Sequence, residues 1–201
     1  MLCEMLILLI MDARKIKRIQ ELVKEKIAIV SYEPVWQKMF ENEAVFLRNK
    51  FPQNLVKRIE HFGSTAVPGL AAKPIIDILV EVTSLEETKK QIVPILEDAG
   101  YEYYWRPAFG DDRPPHYAWF IKRNSEGKRT HHIHMVEADS ELWDRLYFRD
   151  YLRQFPAESK RYDELKRKLS EEYTNDRIKY TEEKSSFILS VTKKAKEYYK
   201  S

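Results

Sequence analysis

The segment HFGSTAVPGLAAKPIIDILVEV, residues 61–82, constrains the fold more than any other part of this chain. It holds two of the five glycines and two of the nine prolines of the 201-residue sequence. Glycine admits left-handed backbone and proline fixes φ, so both residue types mark places where a chain turns sharply. An apolar run follows, interrupted by Asp77. The segment therefore predicts a tight irregular loop that leads into a buried strand carrying one carboxylate.

The chemistry of this loop indicates an anion. A glycine–serine pair at the end of a strand presents backbone N–H groups and a hydroxyl to a phosphate. We therefore interpret Gly63, Ser64 and Thr65 as a phosphate-binding bend. A buried carboxylate is costly unless a cation meets it, so Asp77 is predicted to be a catalytic residue and a metal ligand, with Lys73 neutralising phosphate charge. The alternative is a tight crossover loop in which Asp77 pairs with Lys73 or an arginine.

Composition excludes several classes of protein. The single cysteine, Cys3, excludes an intrachain disulfide and is typical of a reducing compartment, so we expect a cytoplasmic protein. The apolar start, MLCEMLILLIM, is shorter than the roughly 20 residues of a membrane span. A net charge of +3 does not favour nucleic acid as a partner, and RNA binding by the basic C-terminal helices is the weakest hypothesis. The sequence does not indicate an oligomeric state.

Periodicity and turn residues predict an α+β fold, a small mixed sheet flanked by helices with a C-terminal helical cap. Ser84 is expected to cap a helix that stops at Gly100, and Pro156 is expected to open another. A short strand is also predicted at IAIVSY, residues 27–32, with Ser31 capping the helix that follows. The other predicted strands are 55–62, 74–82, 101–107, 116–123 and 130–137, of which the last two form a hairpin.

Because no linker or repeat interrupts the chain after residue 26, we expect one domain at 27–201. Its sheet core is predicted at 27–138 and its C-terminal helices at 139–200. Residues 1–26 are predicted to be an N-terminal helical extension.

The sequence THHIHMVE adds imidazoles to the predicted site. Side chains alternate along a strand, so His132 and His134 share one face. Near a carboxylate such a pair can hold a metal, either magnesium or a transition metal. The predicted metal ligands are thus Asp77, His132 and His134, to which His61 or His116 could be added. Two alternatives stay open: hydrogen bonding of the histidines to substrate, and a purely structural role.

Two charged positions in the C-terminal helices are further candidates. Arg149 and Arg153 lie at i, i+4 spacing on one predicted helix, and Arg149 is predicted to bind phosphate. Lys184 either points inward or extends along apolar surface.

Several motifs in order give the chain a resemblance to the GrpB family, from about Ile27 to the C-terminus. They are SYEPVWQKMF, HFGSTAVPGLAAKPIID, HHIHMVE, the helix of Arg149, and the set Tyr180, Lys184 and Phe187. Members of this family look like minimal nucleotidyltransferases of the DNA polymerase beta type. The resemblance implies a sheet of the nucleotidyltransferase type, a nucleotide or phosphorylated small molecule as ligand, and metal-dependent transfer of a nucleotidyl group.

One departure from that pattern favours an alternative. Nucleotidyltransferases carry a second acid two residues after the first, and here Leu79 takes its place. Glu81 is too far along the strand to replace it. A catalytically degenerate binding or accessory module of the same fold, with no turnover, is therefore the second hypothesis. A histidine-triad hydrolase is disfavoured, because Thr130 replaces the first histidine of that motif.

Overall fold

The structure, a computed structural model, describes residues 26–107 and 115–200. Its centre is one five-stranded sheet in the order β1-β2-β5-β4-β3. The β2–β5 pair is parallel and the other three pairs are antiparallel, so the sheet is mixed as predicted. The strands are β1 Val56–Phe62, β2 Ile76–Val82, β3 Glu102–Pro107, β4 His116–Arg123 and β5 Arg129–Val136.

Helices cover both faces of the sheet. Helix α2 is one continuous segment with a π-helical stretch in its middle. The helices are α1 Val35–Lys50, α2 (Leu85–Glu87, Thr88–Ile92 and Val93–Asp98), α3 Asp144–Gln154, α4 Pro156–Glu172, α5 Arg177–Glu183 and α6 Ser185–Lys200. Short 3-10 turns lie at Ser64–Ala66 and Glu141–Trp143.

The first face of the sheet holds the main core. In β2 the alternate residues Ile76, Ile78 and Val80 are fully buried, and each such aliphatic side chain contributes roughly 1.5–3 kcal/mol. Trp36 and Leu47 lie on one side of α1 because of helical spacing, and they pack against these residues. The second face of β2 carries Asp77, Leu79 and Glu81, and Leu79 is buried there in a second apolar cluster with Phe62 and Trp119, so Asp77 lies beside packed apolar side chains.

A buried acid is held within the main core. Glu43 of α1 is 3% exposed, and its two carboxylate oxygens accept hydrogen bonds from the Tyr101 hydroxyl and the Lys122 ammonium. This carboxylate is tolerated inside the core because both of its oxygens are satisfied.

Most of the predicted elements are confirmed, including five strands, the Ser84 cap and the stop at Gly100. The strand predicted at 27–32 is wrong. Val30 forms only an isolated bridge to Ala72, and the Ile27 N–H donates to the carbonyl of Thr174 in the C-terminal region at 3.0 Å. The segment therefore divides its backbone bonds between the loop after β1 and the helical cap.

Two other expectations also differ from the structure. Helix α1 begins after Pro34, with no side-chain cap from the predicted Ser31. The last predicted helix is broken at Lys184 into α5 and α6. The predicted N-terminal helix lies outside the described residues.

The C-terminal helices clasp the loop between β1 and β2. The Arg153 guanidinium donates to the Ala66 carbonyl at 3.0 and 2.7 Å. The Asp163 carboxylate accepts from the Ala71 N–H at 3.0 Å, and the buried Lys166 ammonium donates to the carbonyl of the same residue. Each of these bonds joins the loop backbone to a side chain about 90 residues later in the chain. Docking of the C-terminal helices therefore fixes the shape of the loop.

Candidate functional site

The sheet register brings an acid and two histidines together on the second face. Asp77 pairs directly with His132 across the parallel β2–β5 ladder, and Leu79 pairs with His134. Asp77, His132 and His134 each offer one possible ligand atom, and these atoms lie within 4.8 Å of one another. The predicted metal-binding residues are therefore adjacent in the structure.

The carboxylate of Asp77 also faces the glycine bend. Gly63 has φ +75° and ψ −172°, a backbone region that side chains rarely allow. A Cβ at position 63 would lie 2.6 Å from Asp77 Oδ2. Glycine is therefore needed here for two reasons, backbone conformation and the close approach of the acid.

The protonation states in this cluster follow from burial and hydrogen bonding. Burial raises the pKa of the Asp77 carboxyl, but the hydrogen bond with His132 and the surrounding positive charges outweigh it and hold the pKa well below its ordinary value. Burial lowers the pKa of His132 to about 4. Near neutral pH the ionised carboxylate can only accept, so Nδ1 of neutral His132 donates to Oδ1 at 3.1 Å. The lone pair of His132 then lies on Nε2.

His134 is positioned in a similar way by a tyrosine. Its Nδ1 lies 3.1 Å from the Tyr117 hydroxyl, and burial lowers its pKa well below the ordinary value. Nε2 of His132 and Nε2 of His134 are both buried without a hydrogen-bond partner among the described residues. Histidines held at one nitrogen and free at the other are typical of metal ligands. Two imidazole nitrogens and one carboxylate fit a transition metal better than magnesium, which prefers oxygen.

Positive side chains from both halves of the chain surround this acid. Lys73 lies between the bend and β2, and Lys184 lies between α5 and α6. Both ammonium groups contact the ring of Tyr180, at 5.3 and 4.8 Å from its centre. The positive charge of Arg177 lowers the pKa of both lysines, and that of Arg145 lowers the pKa of Lys184. The single carboxylate therefore sits in a strongly positive environment, which favours an anionic ligand.

The remaining residues of the predicted bend differ in role. The Ser64 side chain lies near the Tyr162 hydroxyl of α4. Thr65 is buried, lies 3.0 Å from Nε2 of His61 and donates to the Ile75 carbonyl at 3.4 Å. Thr65 thus braces the loop internally, whereas Ser64 lies between the bend and the helical cap.

Arg149 is committed to other partners. Its guanidinium binds Glu60 at 2.9 Å, the His61 carbonyl at 2.7 Å and Asp150 at 2.7 Å. The structure therefore uses Arg149 to join α3 to β1, and does not bring it to the acid–histidine cluster.

The two other histidines suggested as ligands lie elsewhere. His61 points to the first face of the sheet and stacks on Phe40, with ring centres 4.8 Å apart. His116 stacks on Trp105 at 5.9 Å. Neither belongs to the acid–histidine cluster. Glu81 is bridged to Arg58 at 3.5 Å, as expected for an acid at the end of a strand.

Sequence reasoning missed Tyr117, Tyr162, Tyr180 and Trp119. The indole N–H of Trp119 is buried without a partner in the part of the chain that the structure describes, and its ring lies 5.1 Å from that of His132. Alternation along β4 places Tyr117 and Trp119 on one face, which was a usable signal. Tyr162 of α4 gave no such signal, and Tyr180 of α5 stood out only as part of a family motif, because tertiary docking brings both to the site.

The cluster is partly open to solvent at Asp77. The Asp77 side chain is 31% exposed and that of His132 is 12% exposed. Two surface hollows, of about 400 and 460 Å³, lie near the end of α1 and around residues 171–176, and neither includes Asp77. A ligand would therefore reach the acid at the exposed part of its side chain.

Fold and site together define a small α+β protein with an acid–histidine cluster beside a glycine–serine bend. A family model described as GrpB protein matches residues 26–194. Over 166 residues the chain is 39% identical to the glutamate-rich protein GrpB of Alkalihalophilus pseudofirmus, covering 82% of this chain and 93% of that protein. The chain belongs to the GrpB family.

Other comparisons agree with this assignment. The chain is 34% identical to the protein YqkA of Bacillus subtilis, a match that covers 88% of this chain and 49% of YqkA. The crystal structure of the conserved protein GrpB from Enterococcus faecalis superposes with a TM-score of 0.75 at 36% identity, covering 87% of this chain and 100% of that one. Among the described residues, no helix is both long and apolar enough to cross a bilayer.

Proposed function

We propose that this protein binds a nucleotide or another phosphorylated ligand through a divalent metal ion held by Asp77, His132 and His134. The bend at Gly63 and Ser64 lies against the phosphate. One observation carries the proposal: the Asp77 carboxylate lies against Gly63 and beside both imidazoles. When bound, the ion would supply positive charge to the phosphate oxygens.

The donor set supports a transition metal such as Zn²⁺ or Mn²⁺. Nε2 of His132 and of His134, which have no hydrogen-bond partner among the described residues, are suitable nitrogen ligands, and the Asp77 carboxylate would reduce the charge of the ion. The residues present therefore fit a metal by their chemistry.

Binding without turnover is better supported than nucleotidyl transfer. Two-metal phosphoryl transfer normally requires several carboxylates. Leu79, which takes the place of the second acid, is fully buried, and Glu81 is occupied by Arg58. Asp77 is thus the one acid offered to an ion in this cluster. Transfer remains the second candidate, because the Gly63–Asp77 arrangement matches the pattern that the resemblance implies.

Calorimetry with ATP, CTP, GTP and UTP, each with Mg²⁺, Mn²⁺ or Zn²⁺, tests the proposal. We expect metal-dependent binding that falls ~10–100-fold or more in Asp77→Asn and His132→Gln. His116→Gln is the matched control, because this histidine lies outside the cluster. Release of pyrophosphate measures transfer on the same samples.

Two results would contradict the proposal. Nucleotide binding that needs no metal and survives Asp77→Asn would show that no metal ion takes part in binding. Failure of all four nucleotides to bind with any of the three metals would show that nucleotides are not the ligand.

A further inference from the structure

Two lysines beside the acid–histidine cluster have no acidic partner. Among the described residues, the ammonium groups of Lys73 and Lys184 form no ion pair and no hydrogen bond, and both lie against the ring of Tyr180. Tyr180 is 1% exposed, so the aromatic surface that they share is inside the molecule. Cations over an aromatic ring gain little compared with a carboxylate partner. The arrangement therefore leaves two positive charges to be neutralised by something outside the chain.

The pKa values of Lys73 and Lys184 also favour an anionic ligand between them. Burial and the charge of Lys184 lower the pKa of Lys73 well below its ordinary value. Burial lowers the pKa of Lys184 to about 8, against the opposing pull of Asp77. Two ammonium groups that repel each other and are partly desolvated destabilise the free protein locally. A multiply charged anion would relieve both effects at once.

We propose that Lys73 and Lys184 together bind a phosphate group beyond the one at Asp77, so that the ligand is an oligophosphate rather than a monophosphate. This rests on the proposed function, in which the first phosphate lies at the glycine–serine bend. Lys73 belongs to the loop before β2 and Lys184 to the junction of α5 and α6. An oligophosphate therefore bridges the sheet and the helical cap, and the cap forms part of the binding site.

The test uses the full-length protein in EDTA at fixed low salt, with inorganic phosphate, pyrophosphate and tripolyphosphate as probes in calorimetry. We expect tripolyphosphate to bind at least ~10-fold more tightly than phosphate, since it reaches both subsites. Lys73→Gln and Lys184→Gln should each weaken tripolyphosphate binding ~10-fold or more, because each removes a charge-assisted contact.

Two further variants sharpen the result. Lys193→Gln makes the same change of charge at an exposed position of α6 and should alter the affinity by less than about twofold. Asp77→Asn should strengthen metal-free binding, because it removes a negative charge near the ligand, whereas it weakens binding with metal. Thermal midpoints measured for every variant confirm that each one is folded.

Three outcomes overturn the inference. The first is that Lys73→Gln and Lys184→Gln change the tripolyphosphate affinity no more than Lys193→Gln does. The second is phosphate that binds as tightly as tripolyphosphate. The third is tripolyphosphate that binds the wild-type protein neither in EDTA nor with Mn²⁺. If binding depends on the two lysines but never on a metal, the inference stands and the metal of the proposed function fails alone.

Discussion

Replacing Gly63 by alanine tests the geometry on which the site depends. Two costs arise at this position. The backbone conformation, φ +75° and ψ −172°, strains a residue with a side chain by ~1–3 kcal/mol. The new Cβ would also lie 2.6 Å from Asp77 Oδ2 and 3.2 Å from its Cγ, and forcing these atoms apart costs a further ~1–3 kcal/mol. We expect Gly63→Ala to lower the free energy of unfolding by ~2–6 kcal/mol, measured by urea denaturation.

Gly69 provides a matched control within the same loop. It also has positive φ, +79°, but a Cβ there would meet nothing within 4 Å. Gly69→Ala should therefore cost only the strain, ~1–2 kcal/mol. The contact with the acid can be isolated by repeating Gly63→Ala in an Asp77→Ala background, where the two closest-lying carboxyl atoms are absent. The cost of Gly63→Ala should fall there by ~1–2 kcal/mol.

A cost of Gly63→Ala that does not exceed that of Gly69→Ala, and that is unaffected by the loss of the acid, would contradict this geometry. In that case the carboxylate does not approach the bend in solution. The proposal that one ligand contacts both the Gly63–Ser64 bend and the ion at Asp77 would then be wrong.

Two further predictions concern buried charges away from the glycine bend. Glu43→Ala should lower the free energy of unfolding by ~3–5 kcal/mol, because it leaves the Tyr101 hydroxyl and the Lys122 ammonium without their acceptor. The same change at the exposed Glu41 should cost less than ~1 kcal/mol. Equal costs in urea denaturation would contradict this prediction. Lys166 has its pKa lowered by burial from 10.5 to about 7, so between these values the unfolded chain binds a proton that the native protein releases. The wild type should therefore gain ~1–2 kcal/mol over Lys166→Met as the pH rises from 7 to 9, and parallel stability–pH curves would show that Lys166 titrates normally.

Local sequence signals predicted much of the fold, because strands, caps and turns depend on neighbouring residues. Alternation in THHIHMVE placed His132 and His134 correctly on one face. The position of Asp77 against Gly63 was predicted from the shape of the loop and from the family pattern, and the structure has that contact.

What could not be predicted depends on contacts between distant parts of the chain. Arg149 was expected to bind phosphate at the site, yet its guanidinium binds the His61 carbonyl of β1. No local pattern indicates that Tyr162 lines the site, and Tyr180 stood out only as part of a family motif, because docking of α4 and α5 brings both rings there. The wrong strand prediction at 27–32 also concerns a segment with distant partners, since its Ile27 N–H bonds to the carbonyl of Thr174.

The hydrogen bonds from α3 and α4 to the loop between β1 and β2 can form only late in synthesis, because both helices follow the sheet in sequence. Residues 63–136, which hold the acid and both imidazoles, leave the ribosome before the residues that cover them. The bonds from Arg153, Asp163 and Lys166 to this loop therefore form only after the loop and all five strands have been made. A nascent chain that ends before residue 153 has every residue of the acid–histidine cluster and none of these bonds.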